Sequence, residues 1–386
     1  MEQKDLIQII KKDKIVLIIL LVSFFSAIRA LLIPLQGDEL TYFKLSENLL
    51  RGQYYLKDYP STVTPIIPFL MALFYTPYNP ILGFSLMKSF NILITIIGLR
   101  YLYLFLESQK IDVKIILSII ILTVVNTHSI AWYPSLYPEA ILFISFWGFI
   151  YYYSKEKNVE NFKKMFIFFI LLTMSRYVYA ILGLTLLIYY YQLLPNKAYA
   201  IKVKKSIIFY TFLFLLPVIL WFKYVYHIEQ NNLSEISYFN RFKGENSFIY
   251  NIKSGLGLIM HQEANRINGI PAFVSTFIPI TGFRNYILSI FLIVIFLFGY
   301  LKTKRTLGLN LLFGSTVLTM LGLIFAGTGF SRYWLIMLPS FYLGYYLFFK
   351  FLKLSDDLFL KLSKFVAIIY IINEIRIDYL IFKNYF

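Results

Sequence analysis

The chain contains no cysteine, which excludes disulfides and any thiolate-ligated metal centre. Histidine is almost as scarce: His128, His227 and His261 are the only three, and none forms a helical ligand pair with another. Charged residues fill only 15% of 386 positions, well below the ordinary share of a soluble domain. There is no internal repeat, no low-complexity tract, and no inverted pair of broken apolar segments of the kind that marks many transporters. No separate soluble domain can be carved out, because the longest stretch without a membrane-length apolar run is about 228–284.

What the chain does have is apolar length. It is 59% hydrophobic with a mean hydropathy of +0.68, more apolar surface than one soluble fold can bury, so lipid must solvate much of it. The formal charge of +17 elsewhere suggests a nucleic-acid partner. Here the cations cluster in short loops between apolar runs, as the positive-inside rule expects, so membrane lipids and not nucleic acid are the expected partners.

Apolar runs place spans near 15–34, 81–106, 115–131, 139–153, 206–226, 285–301, 307–326, 333–350 and 364–380, with 165–194 divided in two at Ser175-Arg176. The expected architecture is an all-α polytopic membrane protein of about eleven transmembrane helices, a single integral domain over 1–386. Met1 to Lys14 is polar and basic, and no small-residue cleavage site follows the first apolar run, so a retained first helix is expected. Lysine and arginine positions put the N-terminus on the cytoplasmic side of the plasma membrane. The loops 35–80 and 228–284 then lie outside. The first is expected to carry an amphipathic helix near 39–51 and a short interfacial helix at 66–76.

Adjacent carboxylates, Asp38 and Glu39, follow Gly37 at the mouth of the first span. Asp38 stands where an N-cap would, and a helix cap plus a first-turn acid accounts for the pair structurally. At a water–membrane boundary the same carboxylates can be partly desolvated and act as bases. Beyond them come Tyr42, Ser46, Leu49, Gly52 and Tyr55, then Pro60, Thr64-Pro65 and Pro68, a set that a cap alone does not require.

This spaced set resembles the first outer loop of the polytopic GT-C glycosyltransferases, in particular the glycosyltransferase family 39-like group of protein O-mannosyltransferases, aminoarabinose transferases and RgtA/B/C/D-like enzymes. Their pattern, Asp-Glu-x-x-Tyr-x-x-x-Ala-x-x-Leu-x-x-Gly-x-x-Tyr, is met with Ser46 in place of Ala. Tyr137-Pro138-Glu139, Ser175-Arg176 and Ser331-Arg332-Tyr333 with Pro339 resemble later elements of that group. Many members carry Lys-Pro-Pro ahead of the interfacial helix, with the Lys serving the lipid phosphate; this chain has Val63-Thr64-Pro65. Lys57 or a late arginine must then take that role.

The resemblance implies a GT-C-like bundle and transfer of a sugar from a polyprenyl-phosphate donor, with inversion, to a hydroxyl or amine of a glycan, lipid or protein at the outer face. It implies Asp38 as base, Glu39 and Glu139 as supporting acids, and Tyr42 and Tyr55 at the sugar or acceptor. Arg332, then Arg176, Lys57 and Lys88, are the candidates for the lipid phosphate, although cations at span ends also snorkel without any such role. No cofactor is implied; a divalent metal held by His261 and Glu263 is the minor alternative. A polysaccharide polymerase or a lipid or glycan transporter is the reading from another class, and a non-catalytic scaffold a third.

Overall fold

A computed structural model of the chain describes residues 14–52, 54, 63–75, 79–195, 199–231, 247–261, 266–280, 282–327 and 329–385. Tyr55, Lys57, Pro60 and Glu263 lie outside them. Helix dominates. The strand pair among the described residues is Met260–His261 (β1) against Arg266–Ile267 (β2), antiparallel with His261 opposite Arg266.

The helices in chain order are α1 (Lys14–Arg29), α2 (Asp38–Leu50), α3 (Ile66–Leu73), α4 (Pro80–Ser108), α5 (Val113–Val125), α6 (Thr127–Trp132), α7 (Glu139–Tyr153) and α8 (Val159–Ser175). A 3-10 turn, Tyr177–Leu182, leads into α9 (Gly183–Leu193), α10 (Ile201–Asn231) and α11 (Ser247–Leu256). After β1 and β2 follow α12 (Ile270–Phe273), α13 (Tyr286–Lys302), α14 (Leu307–Phe325), α15 (Ser331–Trp334), α16 (Leu338–Phe351) and α17 (Asp356–Tyr385).

Three of these helices are long and apolar enough to cross a membrane: Pro80–Ser108, Ile201–Ile228 and Leu307–Phe325. Only 6% of the apolar window in Ile201–Ile228 is buried by protein, leaving a bare hydrocarbon face that lipid would cover. Several of the other expected spans are shorter or interrupted, for identifiable reasons. The first ends at Arg29, not at Pro34, because the chain turns at Ala30 to Ile33. Asn126 divides 115–131 by capping α6, its side chain accepting from the His128 and Ser129 N–H groups. The expected outer turn at Ser175-Arg176 is a single extended residue, Arg176, followed by a 3-10 helix. The last apolar run extends into a 30-residue helix.

The interior is largely aromatic. Trp147, Trp334, Phe143, Phe146, Phe166 and Tyr300 are fully buried, and pairs such as Phe273–Phe341 at 4.9 Å pack edge to face. This core joins α5, α7, α8, α13 and α16, and a smaller cluster of Ile67, Met71, Met87 and Leu136 seats α3 against α4 and the chain before α7. That seating fixes where α2 begins.

The first and last helices are tied by charge. Arg29, at the end of α1, pairs with Glu374 of α17 at 2.7 Å and also with Asp378, while Ser26 Oγ donates to Asp378 at 2.6 Å.

Candidate active site

Five of the sequence-derived site residues, Asp38, Tyr42, Glu139, Arg176 and Arg332, come together where α2, α7, α8 and α15 meet. All but Tyr42, which lies in the second turn of α2, are delivered by a break in regular structure. Gly37, with φ +57°, is the N-cap of α2; a Cβ there would also sit 2.9 Å from the Tyr137 hydroxyl. Asp38 is therefore the first helical residue and not the cap, and its side chain bonds no backbone group of its own helix. The expectation of a capping aspartate is corrected: glycine takes that position because the backbone there is left-handed and pressed against a side chain.

Released from capping, the Asp38 carboxylate is half exposed, at 55%, and accepts from Arg332 Nη2 at 2.9 Å. The Arg332 side chain is only 12% exposed. Its guanidinium lies 4.5 Å from the Tyr137 ring centre and 5.1 Å from that of Trp132, flanked by aromatic faces as cation–π pairs are. Gly329, with φ +146°, brings the preceding loop against Gly269, where a Cβ would approach backbone to 2.5 Å. The α12 region thus holds the start of α15 in place.

Glu139 opens α7 and is buried to 1%. Its Oε1 accepts from Arg176 Nη2 at 2.8 Å and lies 3.8 Å from Arg332 Nε. Arg176 in turn sits 3.7 Å over the ring of Tyr333. Among the described residues, Glu139 Oε2, Arg176 Nη1 and Arg332 Nε are buried with no hydrogen-bond partner. Two guanidinium donors left without acceptors in one buried cluster are costly unless an anion completes them.

Glu39 does something different from its neighbour. It is buried to 3%, with Oε2 accepting from the Gln36 N–H at 3.0 Å and Oε1 from the Leu136 N–H at 2.8 Å. Burial raises the pKa of this carboxyl, opposed by those two backbone hydrogen bonds and by Lys88 and Arg332 nearby. Both oxygens are engaged, so Glu39 clamps the 36–39 turn to the chain before α7. The Tyr137 hydroxyl adds to the clamp, accepting from the Asp38 N–H and donating to the Gln36 carbonyl, both at 3.2 Å. Tyr42 packs edge-on against Tyr137 with ring centres 6.0 Å apart, and burial raises its pKa.

Lys88 lies beside this clamp but not in the Asp38–Arg332–Glu139–Arg176 group. Its ammonium donates to the Ala30 carbonyl at 2.9 Å and the Ile33 carbonyl at 2.6 Å. It thereby ties α4 to the turn that follows α1. In the Val63-Thr64-Pro65 segment, Thr64 Oγ1 donates to the Ser175 carbonyl at 2.7 Å, next to Arg176. As for metals, no three His, Cys, Asp or Glu side chains converge among the described residues.

Trp132 and the ring of Tyr137 form the aromatic housing of Arg332, a role that sequence reasoning did not assign. Tyr137-Pro138 directly before Glu139 carried a signal for one of them; Trp132 has none, because only packing brings it there. No family model matches the chain, and neither a curated protein nor a solved structure was found similar to it.

Proposed function

We propose that this chain is a GT-C-type membrane glycosyltransferase that moves a sugar from a polyprenyl-phosphate donor to an acceptor hydroxyl or amine of a glycan, lipid or protein. In this reading about eleven transmembrane segments, several of them interrupted, enclose the site, with the N-terminus cytoplasmic and Asp38 at the outer face. The observation that carries it is the Asp38–Arg332 pair: a half-exposed carboxylate beside arginines with buried, unfilled donors, Arg332 Nε and Arg176 Nη1.

The chemistry uses these groups in order. The donor phosphate takes the free guanidinium donors of Arg332 and Arg176, drawing Arg332 off Asp38, whose half-exposed carboxylate is resolvated as it is released. Asp38 then removes the proton as the acceptor oxygen or nitrogen bonds to the anomeric carbon. The anomeric C–O bond breaks in the same displacement, configuration inverts, and the lipid phosphate departs with the electron pair onto the arginines. Glu139 holds Arg176, and Glu39 holds the turn that aims Asp38. No metal or other cofactor is required by this scheme.

The test is transfer from labelled polyprenyl-phosphate sugar in membranes carrying the Asp38→Asn variant. Loss of about 10²–10⁴-fold, the usual worth of a general base, is expected. Transfer at the parent rate would remove Asp38 from this role and the proposal with it.

A further inference from the structure

A second group of orphan donors lies outside the Asp38–Arg332 site, where the strand pair meets the start of α13. Asn268, fully buried directly after β2, accepts through Oδ1 from Arg284 Nη2 at 3.2 Å. A guanidinium can only donate, so this bond fixes the orientation of the amide and leaves Nδ2 as its other arm. Among the described residues, Asn268 Nδ2 and Arg284 Nε are buried and make no hydrogen bond. Arg284 Nη1 is already spent on the Gly282 carbonyl at 2.7 Å.

Both donors stand on anchored backbone. Gly269, with φ +68°, follows Asn268 and presses on Gly255, whose carbonyl a Cβ would strike. Asn285, next to Arg284, caps α13 by accepting the Leu288 N–H at 2.9 Å and gives its own N–H to the Pro271 carbonyl at 3.0 Å.

The local charge is unbalanced as well. Neither Arg284 nor the exposed Arg266 of β2 pairs with a carboxylate among the described residues. Burial, and then the charge of Arg266, lower the pKa of Arg284, so both oppose a cation that an anion beside it would stabilise. The Arg266 guanidinium lies 5.7 Å from the centre of the Phe330 ring, and that of Arg332 lies 5.8 Å from the same centre. This group therefore adjoins the Asp38–Arg332 site without sharing a residue with it.

We propose that Asn268, Arg284 and Arg266 form a second anion seat, one for a phosphate-type dianion. Two guanidinium charges without an acid match a phosphate monoester, which carries about −1.5 to −2 at pH 7, better than a carboxylate, which carries one charge. Its three terminal oxygens can also take donors from three separate residues. Free phosphate and the phosphate group of a larger molecule share this chemistry. The seat stands with or without the glycosyltransferase reading, because none of its residues serves in that scheme.

Calorimetric titration of the full-length protein in detergent tests it, with inorganic phosphate added at constant ionic strength so that diffuse attraction is screened equally throughout. Saturable binding is expected, and Arg332→Gln is expected to leave it in place. Adding Arg266→Gln and Arg284→Gln to that background is expected to weaken it about 10- to 100-fold, the effect of losing a charged hydrogen bond. Should these variants fail to fold, Arg266→Gln in the otherwise parental protein still decides: its side chain is exposed, and a fall of about 10-fold is expected at one class of sites. Competition by glycerol phosphate would mark the seat as one for a phosphate group on a larger molecule, and binding of phosphate alone as one for the free ion; either result supports a dianion seat. Competition by acetate as strong as that by phosphate would make it a carboxylate site and overturns the proposal. So does an absence of saturable binding, or phosphate binding that the Arg266 and Arg284 variants leave unchanged.

Discussion

Asp38 and Arg332 stand 294 residues apart in the chain and 2.9 Å apart in space. One opens a helix beside the first apolar run and the other opens the short helix before α16, so the bond between them closes the fold around the site. Their exposures differ, 55% for the acid and 12% for the base. In the proposed transferase that asymmetry would let an incoming anion take over the arginine while the carboxylate turns to water or an acceptor.

Arg332→Lys keeps the charge but replaces a planar fork of five donors with one ammonium. If Arg332 meets the donor phosphate, the variant loses a charged hydrogen bond worth about 1.5–3 kcal/mol. The loss should appear as roughly a 10- to 100-fold fall in kcat/KM for labelled donor. Unchanged kcat/KM would leave Arg332 with a structural role only.

Glu39 gives a pH signature whose sign follows from its burial. Its pKa is raised above the ordinary 4.5, so from 4.5 upward the folded chain holds a proton that the unfolded chain has released. Stability from this group is complete below that range and is lost as pH rises through the folded value. Glu39→Gln cannot titrate. The difference in melting temperature, parent minus variant, measured in detergent, should therefore shrink as pH rises from 4 toward neutrality. A difference that grows with pH would contradict a carboxyl whose ionisation burial opposes.

The buried pair Glu139–Arg176 makes a separate demand. Removing one partner strands the other in a site of 1% to 13% exposure, which costs about 3–5 kcal/mol. Glu139→Gln and Arg176→Met should each lower the thermal midpoint strongly, and the double variant by less than the sum of the two. Strict additivity in a double-mutant cycle would mean the residues do not act together.

Much of the helix placement was readable because apolar runs and polar breaks are local signals. The helices at Asp38–Leu50 and Glu139–Tyr153 fall close to where the pattern put them. Asp38, Glu139, Arg176 and Arg332 stood out as charges at the ends of apolar runs, where ionisable groups are expensive enough to need a reason. Their convergence was not readable, since no spacing in the chain encodes contacts across such separations. The N-cap assignment failed at Asp38 because a sequence shows a capping-competent side chain but not the positive φ of Gly37. The partners of Lys88 were not readable either, since they are main-chain carbonyls, which every residue possesses.

The charges in α17 make the same point and yield a last test. Asn373, Glu374 and Arg376 interrupt an otherwise apolar run, a poor composition for a helix facing lipid. Glu374 is buried to 0% against Arg29, which also engages Asp378, so the acid is spent on holding α17 to α1. Replacing Arg29 with Met would leave Glu374 buried without its cation, at a cost of about 3–5 kcal/mol. Pairing Arg29→Met with Glu374→Leu removes both charges, and replacing a whole buried ion pair by apolar groups is often neutral or stabilising. The single variant should melt well below the parent in detergent and the double variant should recover most of the loss. Recovery would mark the pair as a replaceable tie between two helices; a double variant no better than the single would mean that Arg29 also serves a partner other than Glu374, with Asp378 the first to replace.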